Sequence, residues 1–216
     1  SGDFCIEYWF MDKGMYGLAQ TYNQTYEYNG YFQFGSSSGT GAIPFPSSGA
    51  ATGATAFTLY HNKGSTNASG AKFDVSSTNN SGNGWFQTTG NAIINPLTWY
   101  HMAIVRESNE IKLYFDGTRM PFASTYTNSV NYTFDRLAIG GGYAQYAIMN
   151  GYISNFRLVV GSPVYTGNFT VPTTPLGVIT NTKLLTAQHS NQIIDASGNC
   201  VVTPINGCAP TRLSPF

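Results

Sequence analysis

Gly151–Leu176 reads GYISNFRLVVGSPVYTGNFTVPTTPL, a strand-like run passing into a long arm. Ile153, Phe156, Leu158 and Val160 are apolar, while Ser154, Asn155 and Arg157 are polar. The alternation is close to period 2, the repeat of a β-strand, with one parity slip between Ile153 and Phe156. One extra residue, a β-bulge, absorbs such a slip. Beyond Gly161 come Pro163, Pro172 and Pro175. Proline has no N–H to give a ladder, so this arm stays outside any sheet. Tyr165 and Phe169 are then the side chains that anchor it across a surface.

Working outward, Phe4, Ile6, Tyr8 and Phe10 alternate with Cys5, Glu7, Trp9 and Met11. Both sets are largely apolar, which suits a central strand covered on both faces. Tyr26–Phe34, Ala56–His61, Ala71–Ser76 and Gly84–Thr88 read as further strands, separated by Gly-, Ser- and Asn-rich loops. Trp99–Arg106 and Ile111–Phe115 flank the polar turn Glu107–Glu110 and form a hairpin. Asp116-Gly117 is a second turn signal. Leu137 and Ile139 begin another strand. No helical period longer than one or two turns is present. Trp9, Trp99, Ile104, Phe115, Ile139, Phe156 and Leu158 are the expected core between two sheets.

The composition restricts function. Only 9% of the 216 residues are charged, and the formal net charge is zero. Phosphate contacts need a basic face, so nucleic acid is excluded as a partner. No apolar run approaches the roughly 18 residues that span a bilayer as a helix, so membrane insertion is not expected. A chain with net charge near zero favours association, as in a module of an assembly. Aromatics make up 15% of the residues, with 15 Tyr and 14 Phe, as in a Tyr-rich sheet.

Five stretches, in order, resemble laminin-G-like (concanavalin-A-like) jelly-roll domains of the type found in bacteriophage structural proteins. Gly2–Met11, GDFCIEYWFM, resembles that family's G-D-F-T-I-E-F-W strand. Trp99–Arg106, WYHMAIVR, resembles W-x-H-x-A-x-x-R, and Ile111–Gly117, IKLYFDG, the strand and turn after it. Gly151–Leu176 resembles G-x-I-S-N-F-R followed by Y-T-x-N-F-T-x-P-T-x-P-L. Thr182–Asn199 is similar to a closing T-x-L-L-T-x-Q…D-x-S-G-N stretch. The resemblance implies an all-β, antiparallel β-sandwich of the concanavalin-A-like jelly-roll type. It spans 1–216 as one domain, with 161–216 as extended arm and closing strand. The family's first strand, of the type F-D-G-x-x-x-Y-L, is not found, which places it upstream of Ser1 in a longer polypeptide. The sheet edge at Lys183–Gln188 is then expected to be covered by upstream residues or by a neighbouring copy, giving a homo-oligomer.

The implied role is a non-enzymatic structural or adhesive module at the virion surface, in a tail fibre, tail or capsid decoration. Its partners are other virion proteins or copies of itself, with a host surface glycan as a further ligand. The alternative is an extracellular lectin or adhesion domain of a bacterium or eukaryote. Glycoside hydrolysis needs two carboxylates about 5 Å, or roughly 6.5–9.5 Å, apart across a sugar bond. Asp3 and Glu7 are the nearest candidates, four residues apart, but Cys5 stands where a third carboxylate is found in hydrolases of this fold. His61, His101 and His189 form no triad motif with Ser or Cys, so no catalytic residue is assigned. No cofactor is expected; the resemblance leaves room for one structural calcium ion, yet Asp3, Asp74, Asp116, Asp135 and Asp195 are scattered. Tyr16, Tyr22, Tyr26, Trp85, Tyr126, Tyr143 and Tyr146 sit among polar loop residues and are the candidate contacts to a glycan or protein partner. Cys200 and Cys208 flank VVTPING, which can close as a disulfide loop or carry two free thiols.

Overall fold

The computed structural model describes residues 2–13, 27–35, 57–63, 72–79, 82–127, 129, 132, 136–142, 147–205 and 207–216. The described residues contain no helix and fourteen strands. They are β1 (Phe4–Asp12), β2 (Glu27–Gly35), β3 (Phe57–Lys63), β4 (Lys72–Asn79), β5 (Gly82–Gln87), β6 (Trp99–Glu107) and β7 (Glu110–Phe115). The remainder are β8 (Thr118–Met120), β9 (Tyr126–Thr127), β10 (Arg136–Ile139), β11 (Gly141–Gly142), β12 (Ala147–Ile148), β13 (Gly151–Val160) and β14 (Thr182–Thr186).

A seven-stranded sheet runs β14-β13-β1-β6-β7-β8, with β9 also on β7, and a five-stranded sheet runs β10-β2-β3-β4-β5. The paired strands are antiparallel, so this is the expected β-sandwich. The doubly apolar β1 is central, between β13 and β6. Ser108 and Asn109 both take positive φ (49° and 68°) in the turn from β6 to β7, as a two-residue hairpin turn requires. Asp116 and Gly117 do the same (46° and 74°) between β7 and β8.

Phe4, Ile6, Tyr8 and Phe10 of β1 point between the sheets. There they meet Tyr100, Met102 and Ile104 of β6 and Phe32, Phe57, Leu59, Phe73 and Val75 of the facing sheet. Tyr31 and Phe32 both reach this core because β2 shifts register between Gly30 and Phe32. The slip in β13 is a bulge: Trp9 faces Ser154, Glu7 faces Arg157, and Asn155 takes φ 53°. It turns Phe156 inward, where its ring stacks on Tyr8 at 5.5 Å.

Of the expected core, Ile104 and Phe156 are fully buried, and Phe115, Ile139 and Leu158 pack against the same cluster. Trp9 and Trp99 require a correction. Strand neighbours alternate faces, so with Tyr8 and Tyr100 inside, both tryptophans fall on the outer face of the seven-stranded sheet.

The β14 edge also differs from expectation. β14 pairs with β13 on one side, and the turn at Asp195 occupies its outward groups. Leu185 N–H donates to Asp195 Oδ1 (2.9 Å), and Ala196 N–H donates to the Leu185 carbonyl (2.7 Å). Asn199 Nδ2 donates to the Thr182 carbonyl at 3.1 Å. The chain blunts this edge itself, so strand addition at Lys183–Gln188 loses its basis.

Candidate functional site

The outer face of the seven-stranded sheet carries the chemistry, and the arm divides it in two. From Gly161 the chain crosses β1 and β6. Gly161 N–H donates to the Asp3 carbonyl (2.7 Å), and Phe169 N–H donates to the Gly117 carbonyl (3.0 Å). A Cβ on Gly117 would lie 2.1 Å from the Phe169 oxygen, so the close approach requires glycine. Val164, Tyr165 and Phe169 cover a second cluster of Cys5, Ala103, Val105, Tyr114 and Val159. The Tyr165 and Phe169 rings stack at 3.5 Å and 7°. The arm thus packs as expected, with Pro172 and Pro175 outside every ladder.

Beneath it lies Glu7, fully buried. Arg157 donates to Glu7 Oε1 from Nε (2.9 Å) and Nη2 (2.5 Å), and the Tyr165 hydroxyl donates to Oε2 (2.7 Å). His101 Nε2 stands 3.3 Å from Oε2 without a well-formed hydrogen bond, and Nδ1 has no partner either. Burial alone would raise the Glu7 pKa; the His101 ring, the Arg157 guanidinium and the Tyr165 hydroxyl outweigh it and hold the carboxyl below its ordinary range. Burial, then Glu7 itself, pushes the Tyr165 phenol far up. Arg157 Nη1 also donates to the Gly177 carbonyl (2.7 Å), tying the far end of the arm to the same group.

The bulge serves this clamp. Asn155 Oδ1 accepts from Leu176 N–H and from Gln188 Nε2, each at 2.9 Å. Asp3 is engaged elsewhere, accepting Ser108 N–H at 2.9 Å. The two carboxylates compared with a hydrolase pair are therefore a turn cap and a sealed ion pair.

The other half of the outer face has a different character. Trp99 of β6, Met11 of β1 and Tyr152 of β13 are direct cross-strand partners in one row, and Trp9 lies in the next, opposite His101 and Ser154. Trp9, Trp99 and Tyr152 are each partly exposed and belong to neither packed cluster. Lys13 Nζ sits 4.5 Å over the Tyr152 ring, and Phe216 meets Trp9 edge-on at 5.6 Å. The parity of β1 and β6 could have pointed to this row, but only once the inner face was known.

Of the seven aromatics named from sequence, Tyr16, Tyr22, Tyr26, Tyr143 and Tyr146 lie outside the described residues. Trp85 is in β5, paired with Ser76, and its side chain is likewise outside the description. Tyr126 is a correction: it pairs with Ile111 in β9, is 2% exposed, and stacks on Phe86 at 3.6 Å. A ring inside the core is no contact surface. Cys200 and Cys208 are exposed free thiols rather than a disulfide. The Asp195 turn fixes Cys200 by its N–H (2.8 Å) and the Cys200 thiol donates to the Lys183 carbonyl at 3.4 Å. Among the described residues no three His, Cys, Asp or Glu group together as a metal site would need. Asp116 accepts His101 N–H (2.7 Å), and Asp195 takes the N–H groups of its own turn.

A putative carbohydrate-binding protein from Bacteroides ovatus aligns over 92% of this chain with a TM-score of 0.52 and 14% identity, and the chain spans 50% of its length. The LG4-5 domains of the mouse laminin alpha1 chain align over 80% of this chain and 41% of theirs (TM-score 0.44, 14% identity). A SAP-like pentraxin from Limulus polyphemus aligns over 72% and 63% (TM-score 0.44, 11% identity). No curated protein matches the sequence. The family model described as the concanavalin A-like lectin/glucanases superfamily matches residues 1–161, three quarters of the chain, and the chain belongs to that superfamily.

Proposed function

We propose that this chain is a non-enzymatic, glycan-binding adhesive module of a bacteriophage virion, carried on a tail fibre, tail or capsid decoration. The observation that carries the non-enzymatic part is Glu7. Hydrolysis needs one carboxylate to give a proton and another to attack or activate water at an open sugar bond. Glu7 is sealed beneath the arm and neutralised by Arg157, and Asp3 caps a turn. What remains for a partner is the partly exposed aromatic half of the outer face and the loops, in a chain with few charges.

A glycan array probed with the purified chain tests the binding half, with immobilised retention and no release of reducing sugar as the expected result. Polysaccharide hydrolysis by the purified chain, whether or not Glu7→Gln abolishes it, would defeat the proposal. Immunogold labelling of particles tests the virion assignment. Genes for capsid and tail proteins beside this one support it, whereas a secretion cassette supports the extracellular lectin.

A further inference from the structure

We propose that the glycan-binding surface is the aromatic half of the outer sheet face beyond the arm, and that the ring of Phe216 occupies it as an exchangeable stand-in for a neutral sugar. This inference rests on the reading of the chain as a glycan-binding module. Trp99, Met11 and Tyr152 form one cross-strand row on three adjacent strands, and cross-strand partners share a face. With strands about 4.8 Å apart, Trp99 and Tyr152 are ~9–10 Å from each other, a span longer than one ring. Trp9 lies diagonally beside Trp99 in the next row.

Trp9 meets the buried His101 ring edge-on at 5.3 Å, while Trp99 and Tyr152 flank the buried Met11 and stay partly exposed. Neither tryptophan nor Tyr152 belongs to the hydrophobic core between the sheets or to the hydrophobic cluster under the arm. Phe216, from outside the sheet, already lies edge-on against Trp9, so this face accepts a planar group. The fit is incomplete, because Trp9 Nε1 is buried without a hydrogen-bond partner. A phenyl ring has no oxygen to accept that N–H. A sugar has an apolar C–H face for the indole and hydroxyl oxygens for its donor, and therefore satisfies both halves of Trp9. Lys13, held over Tyr152, adds a donor at the rim. The balanced charge of the chain gives no reason for an acidic sugar.

The test titrates the intact chain with maltotetraose, cellotetraose, laminaritetraose and mannotetraose, following tryptophan emission and heat. At least one is expected to bind and perturb the emission. Trp99→Ala should weaken it roughly 10-fold, about one lost stacking contact. Trp99→Phe should recover part of the loss, and Phe216→Ala should tighten binding by vacating the face. Unchanged far-UV dichroism confirms that each variant is folded. Binding that ignores both Trp99→Ala and Phe216→Ala would put the sugar elsewhere and overturn this site while leaving the glycan-binding reading intact. Failure of every oligosaccharide to bind either the native chain or Phe216→Ala would overturn both.

Discussion

The outer face of one sheet presents two surfaces built from the same three strands. Toward Gly161, β1, β6 and β13 supply Cys5, Glu7, Ala103, Val105, Arg157 and Val159, and the arm closes over them. Toward Asp12 the same strands supply Trp9, Met11, Trp99 and Tyr152, where the ring of Phe216 lies against Trp9 and Trp99 and Tyr152 stay partly exposed. Alternation runs unbroken through β1 and β6, and in β13 the bulge at Asn155 returns the side chains to the same outer face. What differs is the cover, and the cover decides whether a charged side chain is sealed or an aromatic one is left for a partner.

The sharpest way to break this contrast is to disarm the sealed ion pair. Arg157→Met alone should cost about 3–5 kcal/mol in urea unfolding, because it strands a buried carboxylate. Adding Glu7→Met should recover most of that loss, since the charge left behind is then gone. A single substitution that costs no more than a surface change would mean that the arm seals nothing. Asn155→Ala is next, at about 2–3 kcal/mol: a Cβ residue without local hydrogen bonds sits poorly at φ 53°, and Leu176 and Gln188 lose their acceptor. Asn155→Gly should cost less than Asn155→Ala, and the reverse order would place the strain elsewhere.

Acid should separate the halves as well. The Glu7 carboxyl is depressed in the folded state, so its contribution is fully present above the unfolded glutamate value of about 4.3 and is lost as pH falls through its native value. Urea midpoints should therefore drop as pH falls below about 5 in the native chain and drop less in Glu7→Gln. Parallel curves would exclude Glu7 as the source. The smallest effect is expected on the aromatic half. Trp99→Ala should change stability by no more than about 1 kcal/mol, since its ring packs on neither cluster. A loss of about 3–5 kcal/mol would return Trp99 to the core, where the sequence reading placed it.

The features legible in the chain alone are local and periodic. The slip between Ile153 and Phe156 announced the bulge, and Glu107–Glu110 and Asp116-Gly117 announced their turns, because two-residue periodicity and turn chemistry are written in neighbouring residues. The anchoring of the arm by Tyr165 and Phe169 was legible for the same reason: prolines without N–H groups leave side-chain packing as the means of attachment.

Which face of β1 and β6 meets the second sheet is set by long-range packing. Both parities are rich in apolar side chains, so alternation marks two faces and does not say which is inside; Trp9 and Trp99 were misplaced on that account. The burial of Tyr126 depends on β9 returning to β7. The pair of Glu7 with Arg157 joins residues 150 positions apart, and no local pattern carries a contact of that separation. The site follows from the same cause: folding alone brings Trp99, Met11 and Tyr152 into one row and lays the arm beside them.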